Sequence, residues 1–598
     1  MSRNAEVATR LEEMADHLAA RDVDFKPRAY RDAAESIRGH TVAVETLLED
    51  GGEDALTGID DVGDAIAGKT ADYLRTGEIE ELAELREALP VDMDALTAVE
   101  GVGPKTVASL YEALEITDLD DLEAAAEAGE IRSVTGFGAK TESNVLENIP
   151  FARQSRERSL LGAARPVADR VVAFFERVDA VERVDVAGSI RRWRATIGDV
   201  DVLVASDDGE AVVEAFETWE DAEDVIEAGT DKASVRSEGH RVDLRVVAPA
   251  EFGAALQYFT GGKDHNVTVR NRAIEAGLKL NEYGVFDTSE IEEPDDGEGT
   301  ESARTPSDGL SDGRQRVGER VAGETEAGVY EALGMAWVPP ELREDRGEVA
   351  AAAAAELPDL LSTADVNGDL HCHTAWSDGD PPVAGMVQGA AEFGHDYVAI
   401  TDHATGPGMV GGVGLDDDEL RDQLEEIRTV AADADVEVFA GVEANIGPDG
   451  GISVGDDVLA ALDCVVASPH SDLDGDGTAR LLAAIEHPDV DVVGHPTGRK
   501  LNQRPGIDLD VERVATAAAD NGVALEVNSN PRRLDLRSSN VKLAIEAGAT
   551  IAVNTDAHRP GSYEYVRYGV HTARRGWCEP ADVLNCRGAD GVRAFLEE

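Results

Sequence analysis

From Val366 to the C-terminus one unit recurs: an apolar run ending in polar residues, followed by a helix-patterned stretch. The runs are DYVAITDH, VEVFAGVEAN, CVVASPH, DVVGHP, VALEVNSN and TIAVNTDAH. Short Val-rich runs alternating with helices predict a parallel α/β barrel. In such a barrel the strand ends point into one mouth. His371 and His373 alternate onto one face of a strand, Asp378 follows in the same segment, and His403, Glu443, His470, His495, Asp556 and His558 end later runs. Nine of the 13 histidines fall from residue 371 onward. A lone buried histidine is ordinarily a satisfied core residue, whereas six at strand ends with carboxylates among them predict a metal centre. Imidazoles mixed with bridging carboxylates suit Zn2+, Mn2+ or Fe2+ rather than Ca2+. Cys372 is expected to face away from that centre and to be structural.

A second acidic constellation sits mid-chain. Between Val181 and Pro249, Val-rich runs (VERVDVAGSI, DVDVLVAS, HRVDLRVVAP) predict strands of one sheet with helices between them. Gly188-Ser189-Ile190-Arg191-Arg192 precedes Gly198-Asp199-Val200-Asp201-Val202-Leu203. Carboxylates at i and i+2 of a strand share a face, so Asp199 and Asp201 can hold Mg2+ or Mn2+, and Asp243 on a later strand completes the set. Metals held there can neutralise a phosphate group and activate an attacking oxygen.

The first 150 residues read as short helices joined by glycine turns. Val99-Glu100-Gly101-Val102-Gly103-Pro104-Lys105 is the sharpest, Val134-Thr135-Gly136-Phe137-Gly138-Ala139-Lys140 repeats it, and Gly58-Ile59-Asp60-Asp61-Val62-Gly63 is a more acidic copy. Amides at such a turn, opening a helix, can bind a phosphate. Gly101, Gly103, Lys105, Gly136, Gly138 and Lys140 are therefore candidate phosphate contacts, and the likeness to helix-hairpin-helix elements implies that the phosphates are those of a DNA backbone.

Charge argues the other way at first. With 122 acidic against 54 basic residues the formal charge is −68, which opposes binding a polyanion. Only nine of the basic residues are lysine, and the acidic excess runs through every region. That pattern is expected of an extreme halophile, here a halophilic archaeon. At about 1 M salt the Debye length is roughly 3 Å, so repulsion from DNA is largely screened. Four scattered cysteines, Cys372, Cys464, Cys578 and Cys586, predict no disulfide framework. No apolar run reaches the length of a membrane span and the N-terminus is polar, so a cytoplasmic location is expected.

The mid-chain motif resembles the nucleotidyltransferases similar to DNA polymerase beta, and the glycine turns look like helix-hairpin-helix elements. The likeness continues through Tyr258-Phe259-Thr260-Gly261 and Asn281-Glu282-Tyr283-Gly284 to Leu333–Glu344. It implies that Gly188, Ser189, Arg192, Tyr258, Phe259, Gly261, Asn266 and Arg270 touch the incoming nucleotide. The sequence departs at Gly262, where a serine is usual. The likeness also places the Schiff-base lysine of a 5′-deoxyribose phosphate lyase at Lys69, against the alternative of an ordinary helix-surface lysine. The C-terminal constellation resembles the PHP (polymerase and histidinol phosphatase) domain, which implies two to three metal ions.

Taken from Ala5 to about Val583, the order of parts resembles bacterial and archaeal family X DNA polymerases with a C-terminal PHP domain. The expected fold is multidomain α+β and α/β. Residues 1–85 form a lyase-like helical domain, 86–150 a helix-hairpin-helix domain, 151–250 a nucleotidyltransferase palm with a mixed sheet, and 251–346 a nucleotide-selection domain. Residues 347–365 are a linker and 366–598 a distorted PHP barrel. Nine acidic residues and one basic between Glu290 and Gly313 predict a disordered insertion, about 288–325, that interrupts a loop rather than the catalytic sheet. The resemblance implies gap filling in base-excision repair, a 3′–5′ exonuclease, incision at abasic sites, gapped or nicked duplex DNA and deoxynucleoside triphosphates as partners, no membrane, and a monomer. The rival readings are a DNA-end phosphoesterase whose polymerase half presents DNA, and an inert DNA scaffold. Intact Asp199, Asp201 and Asp243 argue against both.

Overall fold

The computed structural model describes residues 3–597 except 22, 24–25, 39–43, 60, 98, 100, 135, 157, 290–315 and 409–412. Of the acidic insertion expected at about 288–325, residues 290–315 lie outside the described residues, while 316–325 are described and include a strand at Glu319–Ala322, so the insertion ends earlier than expected. Among them, no helix is long and apolar enough to cross a membrane.

The N-terminal part is helical, with one apolar cluster running from Val7 to Leu85 and a second built mainly from Leu89 to Ala152. Three helices begin at the glycine turns: α1 (Asp64–Thr76), α2 (Pro104–Leu114) and α3 (Ala139–Arg156). Each turn closes with the same hydrogen bond, Val62 N to Ile59 O (3.2 Å), Val102 N to Val99 O (2.9 Å) and Phe137 N to Val134 O (3.1 Å). The third residue of each turn has positive φ: Asp61 (61°), Gly101 (81°) and Gly136 (94°). Glycine adopts that conformation without strain, which is why two of the three copies use it.

A five-stranded mixed sheet follows: β1 (Arg183–Val186), β2 (Val200–Ala205), β3 (Asp224–Ala228), β4 (Lys232–Ser237) and β5 (His240–Val247), in the order β1-β2-β5-β4-β3. Only β2 and β5 run parallel. Their alternating valines pack with α4 (Leu161–Phe175) into one core. Next come α5 (Phe252–Thr260), α6 (Lys263–Glu275) and an antiparallel sheet of β6 (Leu278–Asn281), β7 (Gly284–Asp287) and β8 (Glu319–Ala322). Glu319 pairs with Asp287, so the acidic insertion joins two neighbouring strands of this small sheet and leaves the five-stranded sheet uninterrupted.

The stretch 347–365, expected as a linker, is folded. Helix α7 (Glu348–Ala354) buries Val349 and Ala352 in the cluster around Val329 and Tyr330, and Glu348 forms a fully buried pair with His265 (2.5 Å). A helix of alanines with one apolar stripe gives little sign of such packing in sequence.

The C-terminal part is a parallel seven-stranded sheet in chain order: β9 (Gly368–Asp369), β10 (Tyr397–Ile400), β11 (Glu437–Asn445), β12 (Cys464–Ser468), β13 (Val492–Val493), β14 (Ala524–Asn528) and β15 (Ile551–Asn554). A parallel bridge between Cys372 and Ala557 brings its two edges together, so the barrel is nearly closed. Strands covered on both faces read as continuous apolar runs, which is why this half was legible. The barrel and the five-stranded sheet share a core, since Leu534 and Tyr568 pack among the palm residues; Tyr568 lies on α8 (Val566–Arg575).

Candidate active sites

In the palm, the parallel register sets Asp201 on β2 directly beside Asp243 on β5, with Asp199 at the foot of β2. Burial, then repulsion from Asp199 and Asp243, pushes the Asp201 carboxyl up to about 6. Gly188 has φ of 61°, and a Cβ there would fall 2.0 Å from Asp201 Oδ2. Only glycine lets the Gly-Ser turn approach that carboxylate. Asp243 accepts hydrogen bonds from Arg241 Nε (2.8 Å) and from the Ser234 hydroxyl. Asp201 and Asp243 border a cavity of about 260 Å3 lined by Lys232, Arg245 and Phe259 among others.

Of the residues expected to touch a nucleotide, Phe259 lines this cavity. Ser189 is half-buried on the turn after Gly188. Tyr258 and Phe259 meet edge to face at 5.1 Å, and the Arg245 guanidinium covers Phe259 at 4.3 Å. Asn266 donates to Tyr258 O (2.7 Å) and accepts from Gln257 (3.0 Å), so it braces the turn around Gly261. Arg270 is exposed one turn further along α6. Arg192 is buried and already engaged, donating to Glu344 (2.9 Å) and to Thr260 O (2.6 Å). Its neighbour Arg191 forms a bidentate pair with Glu326, both contacts 2.8 Å.

At the N-terminal turns, Gly101, Gly103, Gly136, Gly138, Lys105 and Lys140 are exposed. No atom lies within 4 Å of where a Cβ would stand on the four glycines, and no side chain caps α2. Open turns with uncapped amides are what close approach of a phosphate needs. Lys69, on α1, pairs with Glu81 (3.0 Å). Burial pulls its amine down, but Glu81 and the Tyr30 hydroxyl outweigh this and leave it raised, in the protonated form that does not attack a carbonyl.

In the barrel, all nine expected ligands converge. Three groups of donor atoms each lie within 4.8 Å: His373, Asp378, His403 and His558; His371, His373 and Asp556; His403, Glu443 and His470. His495 joins through Nε2, 3.0 Å from Glu443 Oε1. Positive φ at His495 (24°) and Asp556 (54°) turns two ligands inward at strand ends. Buried atoms without hydrogen-bond partners cluster here: His371 Nε2, both His373 nitrogens, His403 Nδ1, His470 Nε2 and both Glu443 oxygens. His403 Nδ1 sits 2.6 Å from Glu443 Oε2 yet lacks hydrogen-bond alignment. Such lone pairs are costly to bury unpaired, and aimed at common points they fit metal ions. Burial acts against every charge in the cluster. Nevertheless Glu443 and Asp556 are held well below the carboxylate range by facing imidazoles, while Glu443 and Asp378 push His403 up to about 10.

The outer contacts were not anticipated. Glu526 on β14, fully buried, meets His371 Nδ1 at 2.7 Å and accepts from His495 N (2.6 Å). Asp402 accepts from Thr374 N (2.7 Å) and Gln423 (2.5 Å), and Asp369 accepts from His371 N and Thr555 N, both 3.0 Å. A lone Glu within the apolar run VALEVNSN was the available signal for Glu526. Cys372 points away from the ligands and donates to Ala399 O (3.0 Å).

Family models match where these features lie. They are a helix-hairpin-helix domain (residues 2–79), a SAM-like helix-hairpin-helix tandem (53–115 and 93–149), a DNA polymerase beta thumb (255–344) and a PHP domain (369–530). The chain is 32% identical over 583 residues to a Bacillus subtilis protein named DNA polymerase/3'-5' exonuclease PolX, covering 96% of each chain. The chain belongs to the family X DNA polymerases with a PHP domain. This family X polymerase is also 31% identical over 208 residues to a protein named Probable phosphatase from Caldanaerobacter subterraneus, covering 32% of this chain and 75% of the relative. A Shewanella piezotolerans protein of the same name is 32% identical over 204 residues, covering 32% and 77%. The PHP match ends at residue 530, and β15 carries Asp556 and His558 back to the ligands ahead of it.

Proposed function

We propose that this family X polymerase fills short gaps in duplex DNA during base-excision repair and trims 3′ ends as a 3′–5′ exonuclease in its barrel, working as a monomer in the cytoplasm of a halophilic archaeon. The observation that carries the reading is the presence, in one chain, of a nucleotidyltransferase triad on β2 and β5 and a separate cluster of unpaired imidazoles and carboxylates. A further activity of the barrel, incision at abasic sites, draws on the same hydrolytic chemistry.

In the palm, Asp199, Asp201 and Asp243 are the residues that would hold Mg2+ or Mn2+, which supplies charge neutralisation at the triphosphate and a more acidic primer 3′-hydroxyl. Ser189 and the turn at Gly188 face the triphosphate, while Tyr258, Phe259 and Gly261 form the wall against the sugar. Asn266 positions that wall, and Arg270 reaches the nascent pair. Arg192 acts by holding the turn against Glu344 rather than by a free guanidinium. The open turns at Gly101 and Gly136, with Gly103, Gly138, Lys105 and Lys140, grip the DNA backbone without reading sequence.

In the barrel, His371, His373, Asp378, His403, Glu443, His470, His495, Asp556 and His558 would hold two to three Zn2+, Mn2+ or Fe2+ ions, which supply a polarised phosphodiester and an activated water. Glu526 fixes the His371 ring, so its Nε2 points inward. Asp402 and Asp369 fix the loops that carry the ligands.

The test is a labelled gapped duplex incubated in concentrated KCl with Mg2+ or Mn2+. Extension when nucleotides are present, and 3′ shortening when they are absent, is the expected result. Shortening without any extension would support instead a phosphoesterase whose palm only presents DNA.

A further inference from the structure

The loops leaving β13 and β14 carry six basic residues, Arg499, Lys500, Arg504, Arg532, Arg533 and Arg537, in a chain of formal charge −68. Three are engaged within the fold. Arg499 donates to Arg533 O (2.8 Å), Arg504 to Gly498 O (3.0 Å) and Arg537 to Asn540 (3.1 Å). Lys500, Arg532 and Arg533 are brought near one another, because Leu501 N donates to Arg532 O (2.7 Å) and ties the two loops together. Crowding of its surroundings, then the charges of Arg533, Arg504 and Arg532, push the Lys500 amine down to about 8, although the side chain reaches solvent.

Two acids form long ion pairs with this group. Arg533 Nε is 3.5 Å from Asp556, and Arg532 is 3.7 Å from Glu12 of the N-terminal part. Both distances exceed the length of a charge-assisted hydrogen bond, roughly 2.7–2.9 Å. Three cations against two acids at long range leave the group net positive, which suits an anionic ligand.

The position of the group narrows that ligand. Arg533 stands beside the histidine centre, its Nε 3.5 Å from the expected ligand Asp556. On the other side, Asn502 donates to Arg158 O of the palm (2.8 Å), and the Arg158 guanidinium lies beside Gly198, next to Asp199. Leu501 and Leu534 anchor both loops in the palm core. The basic group thus lies on the seam that joins the two candidate active sites.

We propose that Lys500, Arg532 and Arg533 form a phosphate-backbone site that seats the single-stranded 3′ end of DNA across the rim of the histidine centre. The inference rests on the reading that the barrel trims 3′ ends. It adds a site that binds the strand by charge alone, ahead of the bond to be cut.

The experiment compares the full chain with a Lys500→Gln/Arg532→Gln variant on short oligothymidylate, on bis(p-nitrophenyl) phosphate, which has no strand to seat, and in gap filling. The expected KM for the oligonucleotide rises about tenfold, because exposed charge contacts each contribute little, with kcat, diester hydrolysis and gap filling unchanged. Two lost phosphate contacts should also flatten the salt dependence of log KM by about 1.4, at roughly 0.7 per contact on a single strand. Lys500→Arg/Arg532→Lys should restore both. Unchanged KM and salt slope overturn the proposal. So does equal loss on the oligonucleotide and the small diester, which would mean a structural role. If the parent degrades no oligonucleotide, the exonuclease reading fails on its own. Anisotropy of the labelled oligonucleotide then decides the binding site, which requires weaker binding and a flatter salt slope in the variant.

Discussion

Trp193 of the palm lies flat on His571 of the barrel, with ring centroids 3.6 Å apart and planes within 5°. The Arg165 guanidinium covers the indole at 4.5 Å, and Trp193 keeps a φ of 53° to reach this place. Close by, Arg575 of α8 donates to Arg192 O (2.5 Å), so the turn beside the palm triad is pinned by the barrel. The two halves are therefore coupled in stability though their chemistries are separate.

Trp193→Ala should weaken that coupling. Removing a half-buried indole stacked between two partners is expected to cost about 2–3 kcal/mol, below the range for a fully buried one. Differential scanning calorimetry is the check, and the expected result is a single transition that splits or broadens, with the barrel transition little moved. An unchanged thermogram would remove the stack from any structural role.

Glu341 provides the pH dependence of the same interface. It is 4% exposed and accepts from Arg574 Nε (2.7 Å), with His571 Nδ1 also at 2.7 Å. Burial alone would raise its carboxyl, but His571 and Arg574 hold it down at about 2. A depressed folded pKa contributes stability that is present above the unfolded value, near 4.5, and is lost as pH falls towards about 2. At about 1.4 kcal/mol per unit this is roughly 3 kcal/mol at neutral pH. Denaturant titrations of Glu341→Gln should show that deficit at pH 7, narrowing below pH 4.5. A deficit that stays constant with pH would mean that packing, not charge, is lost.

DNA binding should persist in molar KCl because backbone amides at the hairpin turns replace lysine. For about 5 phosphates neutralised by side chains, a tenfold rise in salt costs roughly 4–5 decades of affinity, which a lysine-driven binder would not survive. Gly101→Val and Gly136→Val force a side chain into positive φ at open turns, and each should weaken duplex binding about tenfold in filter or anisotropy assays. Undetectable binding at molar KCl, with neither variant having an effect at lower salt, would overturn the hairpin assignment.

What the sequence disclosed follows from burial. Barrel strands covered on both faces are unbroken apolar runs, and their terminal histidines stood out against an acidic background. β3 is exposed along its length and β4 carries Lys232 and Arg236, so neither had an apolar pattern to announce it. Asp199 and Asp201 were legible because strand periodicity puts carboxylates at i and i+2 on one face, and Asp243 because it stands in a later Val-rich run. Glu526 was not, because a single acid inside an apolar run has no spacing partner, and its role depends on β14 lying across the barrel from His371. The engagement of Arg192 with Glu344, and of Glu341 with α8, joins residues more than a hundred positions apart and leaves no local mark.

The central claim is that two chemically separate sites act on one DNA. Asp199→Ala/Asp201→Ala and His371→Ala/His373→Ala should be compared with the parent as paired time courses on the same labelled gapped duplex, circular dichroism confirming that each is folded. The aspartate variant should lose nucleotide addition and keep 3′ shortening. The histidine variant should lose shortening and keep gap filling, with more net product. Loss of both activities in either folded variant would contradict the account and point to one composite site.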